Sequence, residues 1–424
     1  MRTLHLKNRK IGSNEEVRNM DNNVIVLPGT KWQIPLVKKL KSKGYRVVVL
    51  DCYDNQPAYK YADEYYLVDI LDKEKVYEIA KHYSALAVIS DECDIATPTV
   101  SWVSEKLGKP SIGCKLAELY TNKYQMRVFA KEHGLPTPLF EKCYSVTDAI
   151  TVFNMFGKKM IMKPLDANSS RGVFSISTVE EIEEYFVESL RYSKAEKCVL
   201  LEEYIEGEEF SIDGIMTNKG YYSMAIAHKR HYIGNENLDQ ELIFKYSDPT
   251  FDYDLLRQIN KKYVEQTGLE FGLTHAEYKY NSSDGQFYLI EIGARGGGNY
   301  ISGVINPCLT GIESQELLID WSLGNSFQDQ YLQYVNNYKA KCAILHFFDI
   351  GDKTGIIKSM KGVDYLKQNQ NIKNFFFSYS IGDKVEAVKD GGNRFGYYIA
   401  CCNSLEELER IQNEVKNKVS IEFE

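Results

Sequence analysis

The stretch LTHAEYKYNSSDGQFYLIEIGARGGG, Leu273 to Gly298, decides how this chain is read. Two runs of alternating character flank NSSDG, a turn signal made of residues that tolerate tight or left-handed backbone. A three-residue loop of Ser283, Asp284 and Gly285, with Gly285 left-handed, places Ser282 opposite Gln286, Tyr280 opposite Tyr288 and Glu277 opposite Glu291. Two carboxylates opposed on a sheet repel. At roughly 5 Å the cost is about 1 kcal/mol in water and about 3 kcal/mol at an effective dielectric near 20. A cation between them removes that cost. Magnesium suits the pair, because it takes one or two carboxylates and completes its shell with phosphate oxygens and water. A solvated hairpin with an ordinary Glu–Arg ion pair is the other reading. Arg295 follows at the strand end, and then Gly296, Gly297 and Gly298, whose bare backbone lets a substrate come close.

Upstream, Lys163 ends the apolar run MIMKP and leads into DANSSRG. A strand-end ammonium beside a loop of hydroxyls and glycine suits a polyphosphate; a salt-bridged lysine beside a plain turn fits as well. In VLLEEYIEGEEFSIDG, an apolar run ends on Glu202 and Glu203, with Ile205, Gly207 and Glu209 following. Such a connection can present backbone to a base edge and an acid to a ribose, although charged turns are common. The polar stretch AHKRHYIGNENLDQE, Ala227 to Glu241, reads as a loop near the substrate. Within it Lys229, Arg230 and His231 are suited to a carboxylate or phosphate, or form a solvated basic turn. His275, on the same strand face as Glu277, is either a substrate contact or a packed histidine.

The first third has a different rhythm. Strands at 24–27, 46–50, 65–68 and 86–90 alternate with helices at 31–43, 73–83 and 96–107, which predicts a parallel, doubly wound sheet. The first turn, LPGTKW, is neither GxGxxG nor a P-loop. Asp51 is read as a turn or cap residue, with ribose binding as the alternative. From Leu116 the pattern becomes α+β, and Pro136 and Pro138 mark a linker. Strands at 159–163, 173–177 and 198–202, with a helix at 179–192, form a lid-sized unit, and further strands follow at 209–216 and 221–228. The last stretch mixes strands with a helix at 404–418. The expected division is a polar extension (1–22), a Rossmann-like domain (23–115), a domain of two α+β subdomains (116–330, lid about 158–208) and a C-terminal α+β domain completing the core (331–424).

Composition narrows the function classes. Of 424 residues, 44% are hydrophobic and 26% charged, as in ordinary globular proteins. A net charge of −8 without a basic, aromatic-laced run disfavours nucleic acid. Runs such as VIVLP and VVVL are too short for a bilayer, and residues 1–20 have no apolar core of a secretory signal. Nine cysteines without a CxxC pair point to a reducing, cytoplasmic setting. The 31 tyrosines have no functional reading.

Taken in order, Lys123, Lys163, DANSSRG, LLEEYIEGEEFSID, HAEYK and LIEIGAR resemble the ATP-grasp superfamily, from about Leu116 to Gly324. KPLDANSSRGV and IEIGARGGG are similar to its branch of carbamoyl-phosphate-synthase-like proteins and L-amino-acid ligases. The resemblance implies an ATP site between two α+β subdomains. Lys123 and Lys163 would hold the phosphates, and Ser169, Ser170 and Gly172 would belong to a mobile phosphate lid. Glu202 would meet the adenine through its carboxylate or neighbouring backbone, Glu203 and Ile205 would add backbone contacts, and Glu209 would bind ribose. Glu277 and Glu291 would hold one or two Mg2+ ions, with Mn2+ as an alternative. Arg295 and Lys163 would be catalytic, and Lys229, His231, Arg295, Gly296 and Gly297 would meet substrate. Gly293 stands where many relatives carry a metal-binding asparagine, a change shared by amino-acid ligases, and no MKM-type biotin lysine is present. The implied reaction is ATP-dependent carboxylate–amine ligation through an acyl phosphate, releasing ADP and phosphate, on an amino acid or similar small acid. The expected partners are small carboxylates and amines, with no nucleic acid or membrane, and a homodimer is left open. The rivals are a bicarbonate-using carboxylase or carbamoyl-phosphate-type enzyme, and a non-catalytic ATP-binding sensor.

Overall fold

The computed structural model describes residues 8–10, 22–167, 171–194, 196–232, 235–326, 332, 335, 338–351, 354–386 and 394–424. The first sheet contains β1 (Asn8–Lys10), β2 (Asn23–Val26), β3 (Arg46–Asp51), β4 (Glu64–Leu67) and β5 (Ala87–Ile89), ordered β1-β4-β3-β2-β5. Strands β2 to β5 are parallel, as expected from their alternation with helices. The continuous apolar runs of β2 and β3 follow from burial on both faces. Strand β1 pairs antiparallel with β4, so the first 22 residues are not wholly a loose extension. Asp51 has the structural role: Oδ2 accepts the Gly29 N–H and Oδ1 the Tyr53 N–H, each at 2.9 Å.

The second sheet contains β6 (Phe140–Cys143), β7 (Met160–Pro164), β8 (Phe174–Ile176) and β9 (Val199–Glu203), ordered β6-β9-β7-β8 and antiparallel. The helices Val146–Phe156 and Val179–Tyr192 cover one face, packing Ala149, Ile182 and Phe186 on Met160, Met162 and Leu201. Both open on a capping box, Ser145 with Asp148 and Thr178 with Glu181. The unit therefore reaches upstream to Phe140, beyond the expected start near 158.

The largest sheet is built from β10 (Glu208–Thr217), β11 (Gly220–Tyr232), β12 (Asn235–Phe244), β13 (Gly272–Asn281), β14 (Gln286–Gly293) and three later strands. The remaining strands are β15 (Cys342–Phe347), β16 (Gly355–Lys361), β17 (Ile372–Phe377), β18 (Lys384–Val385), β19 (Gly396–Cys402) and β20 (Ser420–Phe423). Among the described residues the large sheet has eight strands, ordered β14-β13-β10-β11-β12-β15-β19-β17, while β18-β16-β20 form a small separate sheet. The C-terminal stretch thus completes the core sheet. The expected loop at Ala227–Glu241 is instead most of a strand pair. Its polar residues pair across the strands, Arg230 with Glu241 and His231 with Asp239, which hides the apolar alternation that marks most strands.

Period-two alternation splits this sheet into an apolar and a polar face. Phe210, Ile212, Ile226, Ala276, Tyr278, Phe287 and Ile292 pack against the helices Lys123–Glu132 and Tyr253–Gln266. The opposite face carries Glu209, Asp213, Lys229, His275, Glu277 and Glu291, and further along Ile215 and Leu273 pack on the first domain. Among the described residues no helix is long and apolar enough to cross a membrane.

Gly207 joins the lid to this core at φ +139, where an added Cβ would stand 1.9 Å from the Tyr280 carbonyl oxygen. Gly207→Ala is expected to cost about 3 kcal/mol of stability, from a disallowed backbone region plus a backbone clash. Urea unfolding of the two proteins checks this.

Candidate active site

The hairpin of β13 and β14 delivers the expected Glu277–Glu291 opposition by an unexpected route. Its loop is one residue longer than anticipated: Asn281 faces Gln286, Tyr280 faces Phe287 and Lys279 faces Tyr288. The Asn281 side chain accepts from the Ser283 N–H at 2.9 Å, and Gly285 is left-handed at φ +69 and donates to the Asn281 carbonyl. This register alone would turn Glu291 onto the apolar face with Phe287 and Leu289. A β-bulge opposite Tyr278 and Glu277 absorbs one residue and restores Glu291 to the polar face, opposite Glu277. The bulged Ile290 aims its carbonyl at Arg127, whose Nη2 donates to it at 2.7 Å.

The strand end after Gly293 is held by acids. Gly296 N–H donates to Asp91 Oδ1 and Gly297 N–H to Asp213 Oδ1, both at 2.9 Å, and Tyr300 N–H donates to Glu92 Oε2 at 2.9 Å. Arg295 forks onto Asp94, Nε to Oδ1 at 2.8 Å and Nη2 to Oδ2 at 2.5 Å. An added Cβ on Gly297 would lie 2.6 Å from Asp213 Oδ1 and 2.8 Å from His275 Nδ1. This corrects the assignment of Gly296 and Gly297 as substrate contacts: both are buried, and their amides are committed to carboxylates. Gly298 and Asn299, with Asn299 at φ +57, line the cleft instead, and neither amide makes a hydrogen bond within the described residues.

The polar face opens into a cleft of about 640 Å³ bounded by the first, the second and the largest sheet. Each expected metal glutamate faces a lysine. Lys123 Nζ lies 2.7 Å from Glu291, and Lys229 Nζ lies 2.8 Å from Glu277. Lys229 also reaches Glu209 at 2.5 Å and Asp239 at 3.3 Å. Glu209, His231 and Asp239 bring ligand-type atoms within 4.8 Å of one another, and the protein's own cation, Lys229, already stands among them. Lys229 and His231 therefore turn toward acids of their own chain. Burial alone would discharge both, but Asp239 and Glu209 outweigh it, raising Lys229 well above its ordinary value and His231 to about 9. His275 Nδ1 donates to Asp213 Oδ2 at 2.9 Å; burial opposes its charge, and Asp213 overrides this and lifts it to about 9.

On the lid side, Lys163 at the end of β7 contacts Glu202, which Arg127 also grips, Nε to Oε2 at 2.8 Å and Nη2 to Oε1 at 3.3 Å. The Glu202 carboxylate is thus spent on two cations, and only its backbone is left for a base. Burial pulls Lys163 down to about 8; Glu202 opposes the shift, and Arg127 and Lys123 reinforce it. Glu203 pairs with Lys158 at 2.5 Å, and Glu203 and Ile205 line the cleft. Gly172 is left-handed at φ +71, while Ser169 and Ser170 lie outside the described residues.

Several of these side chains escaped the sequence reading. Arg127 follows Lys123 by one helical turn, and Asp213 shares its strand face with Glu209, so periodicity could have flagged both. Asp91, Glu92 and Asp94 follow a parallel strand at its carboxyl end, where open α/β sheets bind ligands. Glu92 has φ +57, and burial, then Asp91, push it well above the ordinary carboxylate range.

Residues 156–303 match the family described as ATP-grasp domain, 348–424 the L-amino acid ligase C-terminal domain 2, and 25–94 the PylC-like N-terminal domain. Residues 156–303 thus form an ATP-grasp domain. It is 27% identical over 311 residues to alanine–anticapsin ligase of Bacillus subtilis, covering 67% of this chain and 64% of that protein. It is 26% identical over 168 residues to formate-dependent phosphoribosylglycinamide formyltransferase of Corynebacterium efficiens, covering 38% of this chain and 41% of that one. The matched region thus spans less than two thirds of either curated relative. The structure is similar to an L-amino acid ligase from Bacillus licheniformis, with TM-score 0.79 and 19% identity over 96% of this chain and 100% of that one. It also resembles the biotin carboxylase domain of Hydrogenobacter thermophilus 2-oxoglutarate carboxylase, solved with MgADP and bicarbonate, with TM-score 0.71 and 17% identity over 95% and 91% of the two chains. At these identities the likenesses to solved structures establish the shared ATP-grasp fold.

Because burial draws Lys163 down to about 8, it loses its charge as pH rises through that value, and any phosphate it held would be held more weakly above it. ADP affinity measured calorimetrically is expected to fall by roughly tenfold at most from pH 7 to 9, and Lys163→Arg should flatten the dependence because guanidinium stays charged. An equal slope in both proteins would exclude Lys163 as the titrating group.

Proposed function

We propose that this protein is an ATP-dependent carboxylate–amine ligase that forms an acyl phosphate, releases ADP and phosphate, and acts on an amino acid or similar small acid. One observation carries this reading: Glu277, Glu291, Lys123, Lys163 and Arg295 all border a single cleft. The likeness to alanine–anticapsin ligase and the L-amino acid ligase C-terminal match support it. The proposed division keeps a first domain to about 115, an ATP-grasp domain to about 330 and a C-terminal domain after it.

Lys123 and Lys163 would hold the ATP phosphates, with Ser169, Ser170 and Gly172 covering them. The backbone of Glu202, Glu203 and Ile205 would meet the base, and Glu209 the ribose. Glu277 and Glu291 offer hard oxygen donors from opposed positions, which fits magnesium. When bound, magnesium would offset phosphate charge during transfer. Lys123 and Lys229 would then exchange a glutamate partner for phosphate or for the other acids they touch.

The substrate carboxylate attacks the γ-phosphate, and an amine then attacks the acyl phosphate. Arg295, fixed by its fork on Asp94, and the amides of Gly298 and Asn299 would stabilise the oxyanion of the tetrahedral intermediate. One such donor is typically worth about 100- to 1000-fold in rate. The lid would exclude water that otherwise hydrolyses the acyl phosphate.

A pairwise screen of amino acids and small carboxylates, read by ADP release and product mass, tests the proposal; no acid-dependent ADP release with any pair would sink it. Glu291→Gln should abolish turnover while leaving the melting temperature within a few degrees, and full activity would refute its metal role. Arg295→Ala should bind ATP yet lose about 100-fold or more in product formation, checked by single-turnover assay.

A further inference from the structure

Four of the nine cysteines gather around one strand, and all four are free thiols. Cys401 and Cys402 are neighbours on β19, so they point to opposite faces of the core sheet. Cys402 stands opposite Cys342 across the β15–β19 ladder, in the cluster covered by the helix Leu405–Lys418, and both are buried. Cys401 belongs to the cluster on the other face, where Cys308 of the helix Asn306–Thr310 also packs. There the Cys308 and Cys401 thiols share a hydrogen bond. Cys401 is buried and Cys308 only half-buried, so a reagent from solvent meets Cys308 first.

The surroundings of Cys308 favour its thiolate. Lys341 Nζ donates to the Cys308 carbonyl at 3.3 Å, and Lys373 comes from β17, the strand beside β19. The Cys401 thiol, and then the charges of Lys373 and Lys341, draw Cys308 below the ordinary thiol value against the pull of burial. Cys401 moves the other way, raised first by its bond to Cys308 and then by burial. That leading cause ends once Cys308 is joined to another sulfur. A half-exposed thiolate in a basic setting, with a second thiol beside it, is equipped for both steps of exchange with a disulfide: it attacks, and its neighbour resolves the mixed disulfide. The Cys342–Cys402 pair has the neighbour but no exposed member.

We propose that Cys308 and Cys401 are a site of reversible disulfide formation, made by exchange with small-molecule disulfides such as oxidised glutathione. The Cys308 sulfur attacks one glutathione sulfur, the glutathione S–S bond breaks, and the first glutathione leaves. Cys401 then attacks the Cys308 sulfur and releases the second. The protons of the two protein thiols pass to the two glutathiones, so one disulfide is reduced as the other is made. The new bond would fasten the segment that follows Gly298 and Asn299, which line the cleft, to β19 of the core sheet. In the test, folded protein is incubated with glutathione disulfide, its remaining thiols are blocked with N-ethylmaleimide, and unreduced peptides are read by tandem mass spectrometry. A Cys308–Cys401 link that dithiothreitol reverses is expected, and it should persist in Cys402→Ser, which removes the ambiguity of the adjacent pair. Cys401→Ser should instead hold glutathione on Cys308, and Cys308→Ser should leave Cys401 reduced. Wild-type protein that keeps both thiols free, or carries glutathione on Cys308 without the link, would overturn the proposal. So would a Cys308–Cys402 or Cys342–Cys402 link formed in its place.

Discussion

The glycine turn after β14 is clasped by buried carboxylates from two domains, and the rest of the site depends on that clasp. Asp91 and Glu92 of the first domain and Asp213 of the core sheet take the amides of Gly296, Tyr300 and Gly297. Hydrogen bonds of this kind are worth about 0.5–3 kcal/mol each, the upper end applying where the acceptor is charged, and more is lost when a buried partner is left alone. Asp91 also accepts from Ser302 Oγ at 2.7 Å and Gln315 Nε2 at 3.0 Å, so one carboxylate ties the turn to the helix Ser314–Ser322. The residue type follows from this crowding, since a side chain at Gly296 would collide with Ser302 and Asp91. With those amides committed, the turn presents only its outer edge to the cleft.

Charge balance is the second constraint. The charged groups of the cleft pair with one another: Lys123 answers Glu291, Lys229 answers Glu209, Asp239 and Glu277, and Arg127 with Lys163 answers Glu202. Buried ion groups of this kind stabilise little relative to apolar packing, but removing one member strands the others.

Several features were legible because they are local. The strand–helix alternation of the first third, the helix Val179–Tyr192 with its capping box, and Lys163 at a strand end all follow from periodicity and turn chemistry within a dozen residues. The Glu277–Glu291 opposition was also legible, although the loop is one residue longer than its turn signal suggests and the bulge at Leu289-Ile290 restores the register. Two consecutive apolar residues in an otherwise alternating strand are the trace that bulge leaves in the sequence. The β11–β12 pair was misread because its strands carry cross-strand charge pairs in place of apolar alternation.

The sequence by itself determined the class of fold, the opposed glutamates and the residue types that point to phosphate chemistry, since neighbours along the chain set those. Only the tertiary structure decided that Asp94 forks onto Arg295, that Arg127 and Lys163 share Glu202, and that Gly298 and Asn299 rather than Gly296 and Gly297 face the cleft. Asp94 and Arg295 are 201 residues apart, and Arg127 and Glu202 are 75 apart. Which acid meets which base across such separations is set by how the sheets pack, and no local period or turn records it.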